Sequence, residues 1–136
     1  YFSDKICVLI YSIIGGICCM CGGNIENCIN NGNITGNINT QYAGVITAGF
    51  GSLTGTGDYS RVSGCVNAGD ITSSGELVGG IACIGDYGEY LVTNSINKGN
   101  ITNSNTSNGM AAGIFTETSN QNKIVSCVNT GDINGY

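Results

Sequence analysis

Short apolar steps separated by Gly and Asn run the length of the chain, and they recur in a fixed order. Four stretches align: "CINNGNIT" from Cys28, "CVNAGDIT" from Cys65, "SINKGNIT" from Ser95 and "CVNTGDIN" from Cys127. Their shared pattern is [CS]-[IV]-N-x-G-[DN]-I. A second pattern precedes each copy: "IIGGIC" from Ile13, "YAGVIT" from Tyr42, "LVGGIA" from Leu77 and "AAGIFT" from Ala111. Between the two, an apolar residue stands three places before the [CS] position: Ile25, Val62, Val92 and Ile124. Each unit therefore offers three short β-prone pieces. Ile, Val and Thr suit a pleated, half-buried surface, and the Ala, Leu, Glu and Lys runs that would favour helix are missing. A unit this short cannot bury its own inner face, so stability has to come from stacking on its neighbours. The pattern predicts an all-β fold, a right-handed parallel β-helix (β-solenoid) of about four coils with three short strands per coil. Residues 1–136 read as a single domain, or as a segment of a longer repeat array.

The N-x-G step between the last two pieces predicts a turn. Asn30, Asn67, Asn97 and Asn129 recur in every copy, as do Gly32, Gly69, Gly99 and Gly131. Glycine is expected there for a positive φ, and asparagine for local hydrogen bonding. Equal positions of stacked coils lie about 4.8 Å apart, so the amides can bond to one another and satisfy buried polar groups. Ile34, Ile71, Ile101 and Ile133 should form an apolar ladder inside the tube. The variable stretches at Thr54–Arg61, Asp86–Tyr90 and Asn103–Asn108 read as outward loops of individual coils.

Cysteine enters next, because the chain holds eight. That number favours an oxidising compartment. Cys28, Cys65 and Cys127 share one repeated position with Ser95; Cys19 and Cys83 are aligned with Thr47 and Thr116. Interchange with Ser and Thr reads as a small side chain in a stacked ladder. Free, buried thiols with at most one or two bridges are expected. Cys28 and Cys65 fall within disulfide reach of Cα atoms but hold their Cβ atoms slightly too far apart, and Cys19 and Cys83 lie two coils apart. A zinc site built on Cys18 and Cys21 lacks a second paired knuckle, and the chain has no His. No metal and no cofactor are therefore expected. As a signal peptide the run from Ile6 is poor, since Gly15 and Gly16 interrupt it and only Lys5 precedes it. It is also short for a membrane span.

Composition narrows the partners. Four Lys and Arg against nine Asp and Glu give a net charge of −5, which leaves no cationic cluster for nucleic acid or an anionic membrane surface. Asp70 and Asp132 stand where the other copies have Asn33 and Asn100, which suggests backbone capping rather than acid catalysis. Asp58, Asp86 and Glu89 lie in variable loops, with Arg61 the nearest cation; an enzyme would gather these carboxylates in one groove. Calcium at the same loops would need six or more oxygens. The rows of Thr do not repeat as an ice-binding array would require. Asn33, Asn100 and Asn105 head N-x-[ST] sequons and are candidate glycosylation sites in a eukaryotic secretory setting.

The G-G-[IVL] step paired with the C/x-N-x-G-x-[IV] step, from Ile13 to Ile133, resembles the GLUG-type repeats of bacterial and protist surface proteins. The resemblance implies an adhesin, a stalk or a protease-associated surface module. The expectation that follows is a non-catalytic, extracellular or cell-surface module with no catalytic residues, acting as a filament or stalk building block that joins other copies head to tail. An adhesin domain binding glycan or protein through its outward loops is the first alternative; a carbohydrate-active β-helix enzyme is the second.

Overall fold

The computed structural model describes residues 12–50, 60–85, 90–116 and 122–135. Among the described residues, nineteen short strands make up four successive layers. The first layer holds β1 (Ser12–Gly15), β2 (Cys18–Cys21), β3 (Asn24–Glu26), β4 (Ile29–Asn30) and β5 (Ile34–Thr35). The second holds β6 (Thr40–Gly44), β7 (Thr47–Phe50), β8 (Ser60–Ser63), β9 (Val66–Asn67) and β10 (Ile71–Ser73). The third holds β11 (Leu77–Gly79), β12 (Ala82–Gly85), β13 (Tyr90–Thr93), β14 (Ile96–Asn97) and β15 (Ile101–Asn103). The fourth holds β16 (Met110–Ala112), β17 (Lys123–Val125), β18 (Val128–Asn129) and β19 (Ile133–Asn134). All pairings are parallel and join equivalent strands of adjacent layers, as in β1-β6-β11-β16 and β4-β9-β14-β18. The chain is a parallel β-solenoid that makes about three turns from its first layer to its last. Among the described residues there is no helix.

A full layer carries five strands rather than the expected three, for two local reasons. The piece [IV]-x-x-[CS]-[IV] breaks at a corner just before [CS], where Asn27, Gly64, Asn94 and Ser126 take φ of 53°, 63°, 49° and 54°. Only residues that tolerate the left-handed region fit there, and Gly and Asn do so at least cost. The G-G-I-x piece likewise turns between β6 and β7, and again between β11 and β12.

Register follows the repeat closely. Ile25, Val62, Val92 and Ile124 stack in one column, and Ile34, Ile71, Ile101 and Ile133 in another. The fourth copy of the glycine step is shifted by one from the sequence alignment: Leu77 pairs with Met110 and Val78 with Ala111. Ile114 and Phe115 are both apolar, so composition does not fix the register. Packing does, by placing the buried Phe115 beside Ala82. Asn103–Asn108 is not simply an outward loop. Asn103 ends β15 and is buried, as is Asn105, and both tie down backbone. The stretches Thr54–Arg61 and Asp86–Tyr90 lie largely outside the described residues.

Two apolar clusters fill the tube. One gathers Ile25, Val62, Cys65, Ile81, Tyr90, Val92 and Phe115; the other gathers Ile34, Ala43, Val45, Ile71, Val78 and Ile101. The asparagine-bearing strands lie between the strands that feed these clusters; Asn67 and Asn97 are buried, and Asn30, Asn97 and Asn129 lie against Gly16, Gly80 and Gly113 of the glycine step. A Cβ on Gly80 would strike Asn97 and the carbonyl of Gly113, so the second glycine of the G-G step makes room for the amide column.

Candidate functional site: the side-chain columns and the faces they end on

Three columns of polar side chains run along the solenoid axis. In the first, Asn30 Nδ2 donates to Asn67 Oδ1 at 3.1 Å, Asn67 Nδ2 to Asn97 Oδ1 at 2.6 Å, and Asn97 Nδ2 to Asn129 Oδ1 at 2.6 Å. Each Nδ2 also donates to the carbonyl two residues on, at Gly32, Gly69, Gly99 and Gly131. A buried amide is costly unless satisfied, and here every layer satisfies the next.

The glycines of N-x-G serve this column differently from the expected turn. None of Gly32, Gly69, Gly99 and Gly131 has a positive φ. The demand is close approach: a Cβ on Gly69 would land on the carbonyl of Gly32, one on Gly99 on that of Gly69, and one on Gly131 on that of Gly99. Among the described residues, a Cβ on Gly32, in the first layer, would have only Asn30 Oδ1 nearby, at 3.7 Å.

The second column answers the interchange of Asn and Asp. Asn33 Oδ1 accepts from the backbone N–H of Asp70 at 2.9 Å, Asp70 Oδ1 from Asn100 N–H at 2.8 Å, and Asn100 Oδ1 from Asp132 N–H at 3.0 Å. These side chains cap backbone, but of the following layer rather than their own. Asn and Asp alternate, so no two carboxylates are adjacent in the column.

The third column is the [CS] position. Cys28, Cys65, Ser95 and Cys127 each donate to the carbonyl two residues back. Cys65 and Cys127 also reach the preceding layer, at Ile25 O and Val92 O. Ser95 Oγ accepts from Cys65 N–H at 3.2 Å. Thiol and hydroxyl thus do the same work, which is why the two interchange. Cys18, Cys19, Cys28, Cys65, Cys83 and Cys127 carry no disulfide, but only Cys65 and Cys83 are buried, and Cys19 is exposed. The expected column of Cys19, Thr47, Cys83 and Thr116 needs one correction. Thr47 pairs with Cys18 and Ala82, one position away from Cys19 and Cys83. The one-residue slip arises because Cys18 and Cys19 offer the same residue type at adjacent positions. Burial pushes the Cys83 thiol up to about 12, while its Sγ donates to Ala43 O at 2.7 Å.

Asp58, Asp86 and Glu89 lie outside the described residues. Among the described residues, no group of three His, Cys, Asp or Glu could hold a metal ion, and no helix is long and apolar enough to cross a membrane. Asn33 and Asn100 are exposed. Asn105 Nδ2, by contrast, is engaged with Gly75 O and Asn108 Oδ1, both at 3.0 Å. Sequence reading missed the left-handed corner at Asn27, Gly64, Asn94 and Ser126. Its signal was present, a turn-forming residue before every [CS]. No family model, curated protein or solved structure matches the chain.

Proposed function

We propose that this protein is a non-catalytic structural repeat module of the cell exterior, a building block for a filament or surface stalk that extends end to end. The observation that supports this reading is the continuity of the columns. The amide, Asn/Asp and [CS] columns pass through all four layers, and the last layer offers the same groups that each inner layer offers to its successor. A strand edge that is left open recruits further strands unless charge, Pro or a covering element blocks it. The chain has no Pro. Head-to-tail contact is heterologous, so it propagates rather than closing as a dimer. The cysteine content and the resemblance to GLUG-type surface repeats support an extracellular setting. The test is size-exclusion chromatography with light scattering across a concentration series, followed by negative-stain microscopy. Concentration-dependent rods with the width of one solenoid are expected. A chain that stays monomeric at high concentration, with no rods on the grid, would reject the filament reading in favour of an adhesin domain that binds through its loops.

A further inference from the structure

We propose that Cys28 and Cys65 are a reactive thiol pair that a low-molecular-weight disulfide converts into a covalent staple between the first and second layers. Three observations converge on this pair. Ile29 pairs with Val66, and Val66 N–H donates to Cys28 O at 2.9 Å, so the two cysteines stand one over the other. At one layer spacing, about 4.8 Å, their Cα atoms lie inside the range of bonded cysteines, about 4.4–6.8 Å. Both thiols also end on neighbouring carbonyls of β3: Cys28 Sγ donates to Glu26 O at 3.4 Å, and Cys65 Sγ reaches Ile25 O at 3.7 Å. The second layer's thiol thus leans toward the layer that carries the first. Finally, each cysteine sits between strands, next to the left-handed corner at Asn27 or Gly64. The ladder that would hold the Cβ atoms at full strand spacing is interrupted there.

Access divides the roles of the two thiols. Cys28 is half-buried and Cys65 fully buried. Burial pushes the Cys65 thiol up, and the neighbouring Cys28 adds to the rise. Cys28 therefore meets the oxidant. Its thiolate attacks one sulfur of the small disulfide and releases the other half as a thiol. Cys65 then gives its proton to water and attacks the Cys28 sulfur of the mixed disulfide, releasing the second small thiol. Two protein thiols are oxidised to one disulfide, and one small disulfide is reduced to two thiols. Cys127 supplies an internal comparison. It occupies the same column and is half-buried too, but it stacks on Ser95. Cys65 lies two layers from it, about 9.6 Å, beyond bonding reach. A mixed disulfide at Cys127 has no thiol in its column to resolve it.

The test treats the folded, reduced wild type with oxidised glutathione, alkylates the thiols that remain, and maps the digest by mass spectrometry. A Cys28–Cys65 link is expected, with Cys127 left carrying glutathione. Two variants separate the steps. Cys65→Ser should keep the fold, because Ser95 fills the same place in the third layer with the same bond to the carbonyl two residues back. It should trap glutathione on Cys28. Cys28→Ser should leave Cys65 unmodified until urea unfolds the chain. Closure of the wild-type link should also quicken as pH rises, since the resolving thiol is the one that burial keeps protonated. A folded wild type whose Cys28 stops at the mixed disulfide, as Cys127 does, would overturn the pair. So would Cys28 and Cys65 both staying free, or Cys65 taking up glutathione in folded Cys28→Ser.

Discussion

Gly69 and Gly32 occupy the same repeated position and face opposite fates. A methyl on Gly69 would be driven into the Gly32 carbonyl; among the described residues, a methyl on Gly32 meets only Asn30 Oδ1 at ordinary contact distance. Gly69→Ala should therefore cost several kcal/mol, as steric strain in a packed interior does, while Gly32→Ala should leave the urea midpoint of the isolated chain unchanged. Equal shifts for the two would show that the glycines serve the local turn and not the stack. Cys83 supplies a second prediction at this scale. Its folded pKa, about 12 against an ordinary 9.0, is raised by burial. Between those values the unfolded chain ionises this thiol and the folded chain does not, so its contribution is complete below pH 9 and is lost as pH climbs toward 12. The alkaline limb should fall by about 1.4 kcal/mol per pH unit from this group. Urea titrations from pH 8 to 11 should show a shallower limb in Cys83→Ala than in the wild type.

At the level of elements, the columns bind strands of only two or three residues into sheets. Removing Asn67 strands a donor on Asn30 and an acceptor on Asn97, and frees the Gly69 backbone. Asn67→Ala should cost about 3 kcal/mol or more, because each buried group left unpaired loses about 1–3 kcal/mol. Asn129 is exposed in the last layer, and Asn129→Ala should cost under about 1 kcal/mol by the same denaturation measurement. Much of this was legible beforehand. The [IV], Asn, [CS] and Ile columns were all visible as repeated letters, because stacking in register makes neighbours in space into equals in sequence. What was not legible depended on shape. Positive φ at the corner before [CS], and its absence at N-x-G, follow from how closely one layer's backbone approaches the next. A motif written one layer at a time does not record that distance. The slips at Thr47 and at Ala111 have the opposite origin. There, adjacent residues of one type, Cys18 with Cys19 and Ile114 with Phe115, left two registers equally good on paper.

Across the whole molecule, stability should be graded along the axis, since a solenoid layer touches only its neighbours. The second and third layers are covered on both sides, and their inward residues Val62, Ile71, Val92 and Ile101 are almost completely buried. The fourth layer leaves Val125, Val128 and Ile133 half exposed. Hydrogen exchange of the unassembled chain should show strongest protection in β8–β10 and β13–β15 and first loss in β17–β19. Uniform protection over all four layers would mean that the chain opens as one unit. The alternation of Asn33, Asp70, Asn100 and Asp132 has a consequence for how such a chain can change in length. Excising the third layer would set Asp70 directly against Asp132, two like charges at one strand spacing. Excising the second and third together would set Asn33 against Asp132 and leave the alternation intact. A gene that grows or shrinks by duplication and loss of this unit is therefore penalised where the change sets two Asp layers side by side and free where an Asn layer stays between them: the column decides which coils can be lost.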